Sequence, residues 1–492
     1  MDKAKLKQAV ARGAVSNLLF AGAGGSLTYL QLIVVMRILG PAEIGLFALA
    51  SAIALAMESL SDFGIGDRLI QQGAEDLQES YDCAVTLHFL LAVLLCGLLI
   101  AAAPFVARFY HLPDLTLLMA AMSYVAFAGF LQLPLSLLYR DLRYFEQRLF
   151  VFLGKVASFI VTVGLALMGM GVWCLVAGGL TELVVTAVPA WLVSPLRPRW
   201  RISLSKFRDL LSFGSPVWMS KVSYVLVQQG SVLVLSAFLA VTDVGQFKAA
   251  EQLAGIVFYM EIVLGQTIFP VLCKLKDSDS ALVAAFTKSS RVSMLWTAGG
   301  SVFLWIFAGP IVRYVLTPKW HGAELFMAAQ GVALLFGATI FNWDTLCKAR
   351  EATRFLFRVS VLFGIAFAVI FTPLVYFGRR EGAAIGVVVL SILLLISRKV
   401  CLDQLRLRIS LMDIAKNGVG AALLAAAVAL ALRHLLKSQP QLMSLAFQAM
   451  GYLGVYAGVL LWLDRDLIRE AVALVFRRVS VPPPESQAAI HS

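Results

Sequence analysis

Three lysines lie inside long apolar runs: Lys155, Lys221 and Lys248. A cation in hydrocarbon is costly. Each must either snorkel to an interface along its stem or face a polar interior, where it attracts an anion. Lys221 has the most polar surroundings, with Ser220, Ser223, Tyr224, Gln228 and Gln229 close by in sequence. It lies about eight residues into its run, roughly 12 Å deep by helical rise. Lys155 follows Arg148 on the same helical face. Lys248 precedes Glu251 by three residues, a spacing that lets the two neutralise each other on one helix. A structural pair is the expectation there, ahead of a ligand contact. Arg37 closes the first apolar run, either as a ligand contact or as an interfacial anchor.

Acids are the second set. Glu58, Asp62, Glu182, Glu251, Glu261 and Asp344 lie in or near apolar runs. A carboxylate in lipid is protonated or paired. Glu182, near the middle of its run, and Glu251 are candidates for ion pairing or for coupling to an ion gradient. Proton coupling, sodium coupling and no coupling all stay open. Of the five histidines, only His88 lies near the start of a run, too little for a proton relay.

Other chemistries find no foothold in the residues. The six cysteines are scattered, with no CxxC and no Cys/His cluster, so neither a metal site nor a disulfide framework is expected. No phosphate-binding glycine loop and no sizeable polar segment point to catalysis, so neither an enzyme nor a cofactor is expected.

These side chains need a frame, and composition supplies it. Of 492 residues, 60% are hydrophobic and 14% charged, with a mean hydropathy of +0.85. Soluble domains carry about 25% charged residues. The uncharged run from Val15 to Met36 makes a helix of roughly 33 Å, enough to cross a ~30 Å hydrocarbon core. It does not read as a cleaved signal peptide, being longer than the apolar core of one. Similar runs recur near 15–36, 43–64, 83–106, 115–138, 148–169, 172–194, 213–238, 243–268, 292–316, 322–345, 356–377, 382–400, 417–436 and 444–463. The expectation is an all-α integral membrane protein of about 14 helices.

The net charge of +12 is explained by loops, not by nucleic acid. With both termini cytoplasmic, 30 of the 41 Lys and Arg residues fall on the cytoplasmic side and 8 on the other, the remaining 3 lying inside spans. Between 194 and 214, Trp200, Leu204, Phe207 and Leu211 would share one helical face among several cations, which reads as an interfacial helix.

The chain also repeats itself. A shift of 200 residues lays RILGPAEIGLF (37–47) on AFLAVTDVGQF (237–247), matching Gly45 to Gly245 and Phe47 to Phe247. APFVARFY (103–110) then resembles GPIVRYVL (309–316), MAAM (119–122) resembles MAAQ (327–330), and Gly169 and Gly171 answer Gly378 and Gly382. Six spans separate the partners, so the halves are parallel repeats about an axis along the membrane normal. The expected organisation is a six-helix lobe (1–194), a linker helix (195–212), a second six-helix lobe (213–405), a helix pair (406–464) and a cytoplasmic tail (465–492).

The segment RILGPAEIGLFALASAIALAMESLSDFGIGDRLIQQ (37–72) and its echo VGQFKAAEQLAG (244–255) resemble the polysaccharide-transporter branch of the multidrug/oligosaccharidyl-lipid/polysaccharide exporter superfamily. That resemblance implies flipping of polyprenyl-diphosphate-linked oligosaccharides across the bacterial inner membrane for lipopolysaccharide, capsule or exopolysaccharide. It implies a cavity between the lobes, bordered by the first helix of each, whose cations would neutralise the diphosphate. Lys221, Lys155, Lys248, Arg37, Gln228 and Gln229 are the cavity candidates. Membrane lipids, a polysaccharide polymerase and chain-length machinery are the further partners it suggests. The rival readings are a cation-coupled small-molecule exporter, a polytopic polysaccharide-assembly enzyme and a non-transporting membrane scaffold.

Overall fold

The computed structural model describes residues 3–61, 65–66, 69, 77–141, 143–208, 225, 229–340, 342–350, 352–436, 440–467 and 469. Every regular element among them is helical. In chain order these are α1 (Lys3–Ile38), α2 (Pro41–Ser61), α3 (Leu77–Phe109), α4 (Asp114–Met122), α5 (Ala128–Arg140), α6 (Tyr144–Leu167), α7 (Trp173–Val193), α8 (Gln229–Phe238), α9 (Val241–Lys274), α10 (Asp279–Ile306), α11 (Ala308–Leu316), α12 (Ala323–Ala338), α13 (Trp343–Ala349), α14 (Thr353–Ala366), α15 (Thr372–Gln404), α16 (Leu411–Leu435) and α17 (Gln441–Leu463). A 3₁₀ turn, Ser123–Phe127, joins α4 to α5, and a π-helical turn, Phe367–Phe371, joins α14 to α15.

Among the described residues, nine helical stretches are long and apolar enough to cross a membrane. The number is ten if Asp279–Ile306 and Ala308–Leu316, bent by 74°, make one span. A helix satisfies its own backbone in lipid, and this is a multi-pass, all-α membrane protein. Even with the bent pair counted, the total is four short of the fourteen predicted spans. Among the described residues, 15–36 leaves only a shorter apolar helix, Gly22–Ile38, and α9 over 243–268 is not one of the nine. Two further differences have local causes. The span at 213–238 lies mostly outside the described residues. Arg354–Gln404 forms one apolar stretch of 51 residues where two spans are predicted, and it is kinked at Arg379 (φ 51°, ψ −127°).

Two compact units are present. The first comprises Met1–Ile256, Leu304–Ala333 and Ala352–Arg398, and the second Val257–Phe303, Leu334–Glu351 and Lys399–Ser492. In the first unit, α6 and α7 approach closely through glycines that face hydroxyls. A methyl group at Gly178 would lie 1.8 Å from Thr162 Oγ1, and one at Gly154 would lie 2.1 Å from Thr186 Oγ1. Small residues at membrane helix contacts allow this approach. The amide of Gln31 in α1 donates to Thr162 Oγ1 at 3.1 Å, tying α1 to the same pair.

In the second unit, α10 packs on α16 and α17. The phenol of Tyr452 donates to the Gly299 carbonyl at 2.8 Å. Asp464, just past the end of α17, is buried and binds two partners. Arg291 pairs with one of its oxygens, and Asn417 Nδ2 donates to the other at 2.8 Å.

The linker differs from expectation. Residues 195–203 are not helical, and helix is present only from Leu204 to Arg208, where the described stretch ends. Trp200 therefore does not share a helical face with Leu204. The cause is local: Pro195 and Pro198 disfavour helix, and α3 captures the backbone. Arg199 N–H donates to Asp82 Oδ1 at 3.0 Å, and Arg201 N–H donates to Thr86 Oγ1 at 3.1 Å. Trp200, Ile202 and Leu204 remain exposed.

Candidate functional site

The two sequence repeats meet in the first unit where α2 and α9 begin. A methyl group at Gly45 would lie 1.9 Å from the Val241 carbonyl oxygen, and one at Gly245 would lie 1.8 Å from the Pro41 carbonyl oxygen. Positions 41 and 241, like 45 and 245, are equivalents under the 200-residue shift. The contact is thus two-fold in character, helix start against helix start. Only glycine permits it, because any Cβ would overlap the opposite backbone.

Beside this crossing, two basic side chains exchange helix ends. Arg37, in the last turn of α1, donates from Nη1 to the carbonyls of Tyr314 (3.4 Å) and Val315 (3.2 Å) at the end of α11. Lys319 donates from Nζ to the carbonyls of Arg37 (3.0 Å) and Ile38 (2.9 Å) at the end of α1. The last carbonyls of a helix lack internal partners and carry the negative end of its dipole, so cations suit both ends. Trp320, fully buried, adds Nε1–H to the Met36 carbonyl at 2.8 Å. Burial pushes the Lys319 ammonium below the ordinary lysine range, with the Glu43 carboxylate acting in the opposite sense.

The first acids of α2 and α9 serve equivalent places. Glu43 Oε2 accepts from Gly40 N–H at 2.7 Å, and its other oxygen lies against Gly171. Asp243 pairs with Arg380 Nε at 3.3 Å, and Arg380 Nη2 also donates to the Gly322 carbonyl at 2.9 Å and to Gln246 Oε1 at 3.0 Å. Gly169 and Gly171 take positive φ, as their turn requires. In the second repeat it is Arg379, not Gly378 or Gly382, that takes positive φ.

Of the sequence candidates, Lys221 and Gln228 lie outside the described residues, and Gln229 is half-buried at the start of α8. Lys155 donates from Nζ to Thr28 Oγ1 of α1 at 3.0 Å, its stem lying over Gly24. Lys248 and Glu251 form the expected pair at 2.7 Å. Arg37 caps α11 as described. Glu261 is buried and accepts from Thr297 Oγ1 at 2.8 Å.

Glu182 belongs to a different feature. It lines a recess of about 260 Å³ with Glu58, Tyr124, Gln132, Thr186 and apolar neighbours. Tyr124, Gln132 and Thr186 of the recess, and Lys319 and Trp320 of the helix-end exchange, were not singled out from sequence as functional. Each is an ordinary residue in its local context, and each acquires a role only through contacts distant in sequence.

An all-helical, multi-pass body with two sequence repeats meeting at equivalent helix starts has the build of a membrane transporter. The chain belongs to the polysaccharide biosynthesis protein family, which it matches over residues 34–324. It is 23% identical over 304 residues to the succinoglycan biosynthesis transport protein ExoT of Rhizobium meliloti, an alignment spanning 60% of each chain. It is 23% identical over 396 residues to the lipopolysaccharide biosynthesis protein WzxC of Escherichia coli, covering 76% of this chain and 75% of that one. The fold is similar to that of the lipid II flippase MurJ in an inward closed conformation. That match has a TM-score of 0.74 at 14% identity, over 92% of this chain and 100% of MurJ.

Proposed function

We propose that this protein flips polyprenyl-diphosphate-linked oligosaccharides from the cytoplasmic to the outer leaflet of the bacterial inner membrane, for surface polysaccharide assembly. The observation that carries this reading is the Gly45–Gly245 crossing. Two repeats that touch through equivalent helix starts can close one end of a passage and part to open it. With both termini cytoplasmic, as the loop cations favour, the Arg37 end faces outward and the crossing is an outer gate in its closed state. Relatives named for polysaccharide and lipopolysaccharide biosynthesis support the cargo class.

The physical task is to carry a diphosphate and a glycan through hydrocarbon while the polyprenyl tail stays in lipid. Two six-helix lobes, 1–194 and 213–405, sheltering the head group between them would do so by alternating access. Lys155 and Lys221 would offset the charge of the diphosphate. The deciding experiment is reconstitution into proteoliposomes with a radiolabelled lipid-linked oligosaccharide and a membrane-impermeant enzyme that cleaves it only in the exposed leaflet. Transfer faster than in protein-free liposomes is expected. Equal rates would overturn the reading.

A further inference from the structure

The recess in the first unit carries chemistry that the lysines do not. Its polar lining is Glu58 of α2, Tyr124 of the 3₁₀ turn, Gln132 of α5, and Glu182 and Thr186 of α7. Among the described residues, that lining holds two carboxylates, an amide, a phenol and a hydroxyl, and no cation. A polar wall within membrane spans calls for a polar occupant. The backbone is irregular at the same place. A 3₁₀ turn interrupts the span Asp114–Arg140 at Ser123–Phe127 and brings Tyr124 to the recess. Such breaks are tolerated in membranes where they line a cavity, and they gather at functional sites. Gly179 makes room for the phenol, since a methyl group there would lie 2.3 Å from Tyr124 Oη.

The occupant follows from charge, size and donor set. The Glu182 carboxylate repels phosphate, so the recess does not suit a diphosphate. A single water or small ion fills only a small part of 260 Å³. Carboxylates, an amide and a hydroxyl can engage several hydroxyl groups at once, while the tyrosine ring offers a flat apolar face. That combination suits a sugar. Val151 of α6 also lines the recess, and the backbone of Lys155 stands one turn further along the same helix, about 6 Å away by helical rise, with its ammonium on Thr28 of α1. A hydroxyl-binding surface therefore adjoins a cation on one helix. A ligand whose diphosphate is bonded directly to its first sugar has the complementary order.

We propose that this recess binds the sugar next to the diphosphate, with Glu182 accepting from its hydroxyls and Gln132 accepting from and donating to them. The proposal rests on the flippase reading. The test uses the full-length protein in nanodiscs and two probes: a bare polyprenyl diphosphate and the same lipid bearing an oligosaccharide. Binding is measured for the wild type and for Glu182→Gln, Gln132→Leu and Lys155→Ala. Wild type should bind the glycosylated lipid more tightly. Glu182→Gln and Gln132→Leu should each weaken that binding about tenfold, the effect of one lost hydrogen bond to a charged or buried partner, while binding of the bare lipid stays within about twofold. Lys155→Ala should weaken both lipids, and a thermal unfolding midpoint close to that of the wild type certifies that each variant compared is folded.

Equal wild-type affinity for the two lipids would overturn the proposal. So would loss of both lipids, or of neither, in the Glu182 and Gln132 variants. A sodium-dependent affinity for both lipids that Glu182→Gln abolishes would assign the recess to an ion instead. Wild-type protein that binds neither lipid would overturn the flippase reading along with this one.

Discussion

Gly45 and Gly245 lie back to back, each against the carbonyl that opens the other's helix: Val241 for Gly45 and Pro41 for Gly245. Residues that match under the repeat are also the residues that touch. Such self-matching contacts arise when equivalent elements meet at the axis relating them, as they do between subunits of a symmetric dimer.

Alanine at either glycine must separate the two backbones. Overpacking of this kind costs typically about 1–3 kcal/mol. Gly45→Ala and Gly245→Ala should therefore each lower thermal stability in detergent and reduce transport. The double variant should lose less than the sum, because the first methyl group has already parted the helices. Strict additivity would mean that the two glycines do not share one contact.

The helix-end exchange predicts a graded series. Trp320 is fully buried and satisfies the Met36 carbonyl, so Trp320→Ala should cost about 3–5 kcal/mol. Trp320→Phe keeps most of the volume and loses the N–H, and should cost about 1–2 kcal/mol. Lys319→Ala should cost no more than about 1 kcal/mol, because its bonds are to partly solvated helix ends. Denaturation midpoints of the three variants check the order, and a Lys319 variant worse than Trp320→Ala would contradict it.

The apolar runs, the connection at Gly169 and Gly171, and the Lys248–Glu251 pair were legible because each depends on residues within one or two helical turns. The match of Gly45 to Gly245 was legible too, but a repeat does not say that its equivalents touch. The exchange between Arg37 and Lys319 joins residues 282 apart in the chain, and no local pattern announces it. Glu182 stood out as a carboxylate in an apolar run. Its neighbours Tyr124 and Gln132 did not, because the 3₁₀ turn changes the helical phase that would place them. The linker reading at 195–203 failed because the competing partners of its backbone, Asp82 and Thr86, lie more than a hundred residues earlier.

Close packing of α6 on α7 makes a compensation test possible. Gly178→Ala would drive a methyl group onto Thr162 Oγ1, while the Thr162 Cβ stands at 3.2 Å. The single variant should cost about 1–3 kcal/mol. Adding Thr162→Ala removes the clashing oxygen and should restore most of the loss, apart from the bond that Gln31 makes to it. Thermal unfolding of both forms decides, and absence of rescue would place the strain elsewhere.

At Asp464 the two partners of an ion pair are unequally buried: its side chain is 2% exposed and that of Arg291 34%. Removing the arginine leaves a buried carboxylate with, among the described residues, the Asn417 amide as its side-chain donor. Removing the acid leaves a cation that water can reach. Arg291→Ala should therefore destabilise more than Asp464→Asn, approaching the ~3 kcal/mol seen when a buried pair is broken from one side. Equal losses, or the reverse order, would show that the carboxylate is not held as an ion.

The lysines give the sharpest test of the cargo's charge. If Lys155 and Lys221 bind a diphosphate, alanine at either should lower export at least about tenfold at matched membrane abundance, the scale of one lost charge-assisted bond. Arginine should keep part of the activity, because the charge survives although the geometry changes. Glutamate should be worse than alanine, since it repels the anion where the dielectric is low. A lysine that only snorkels predicts another order: alanine is nearly silent, because removing the charge also removes its desolvation cost. For Lys155 the bond to Thr28 separates the cases further. Thr28→Val should barely change export if that bond merely parks the ammonium, and should lower it if the bond aims the charge at the cargo. Complementation of a polysaccharide-export defect with each series reads the outcome. Wild-type export for both the alanine and glutamate variants of a given lysine would remove that residue from the binding role.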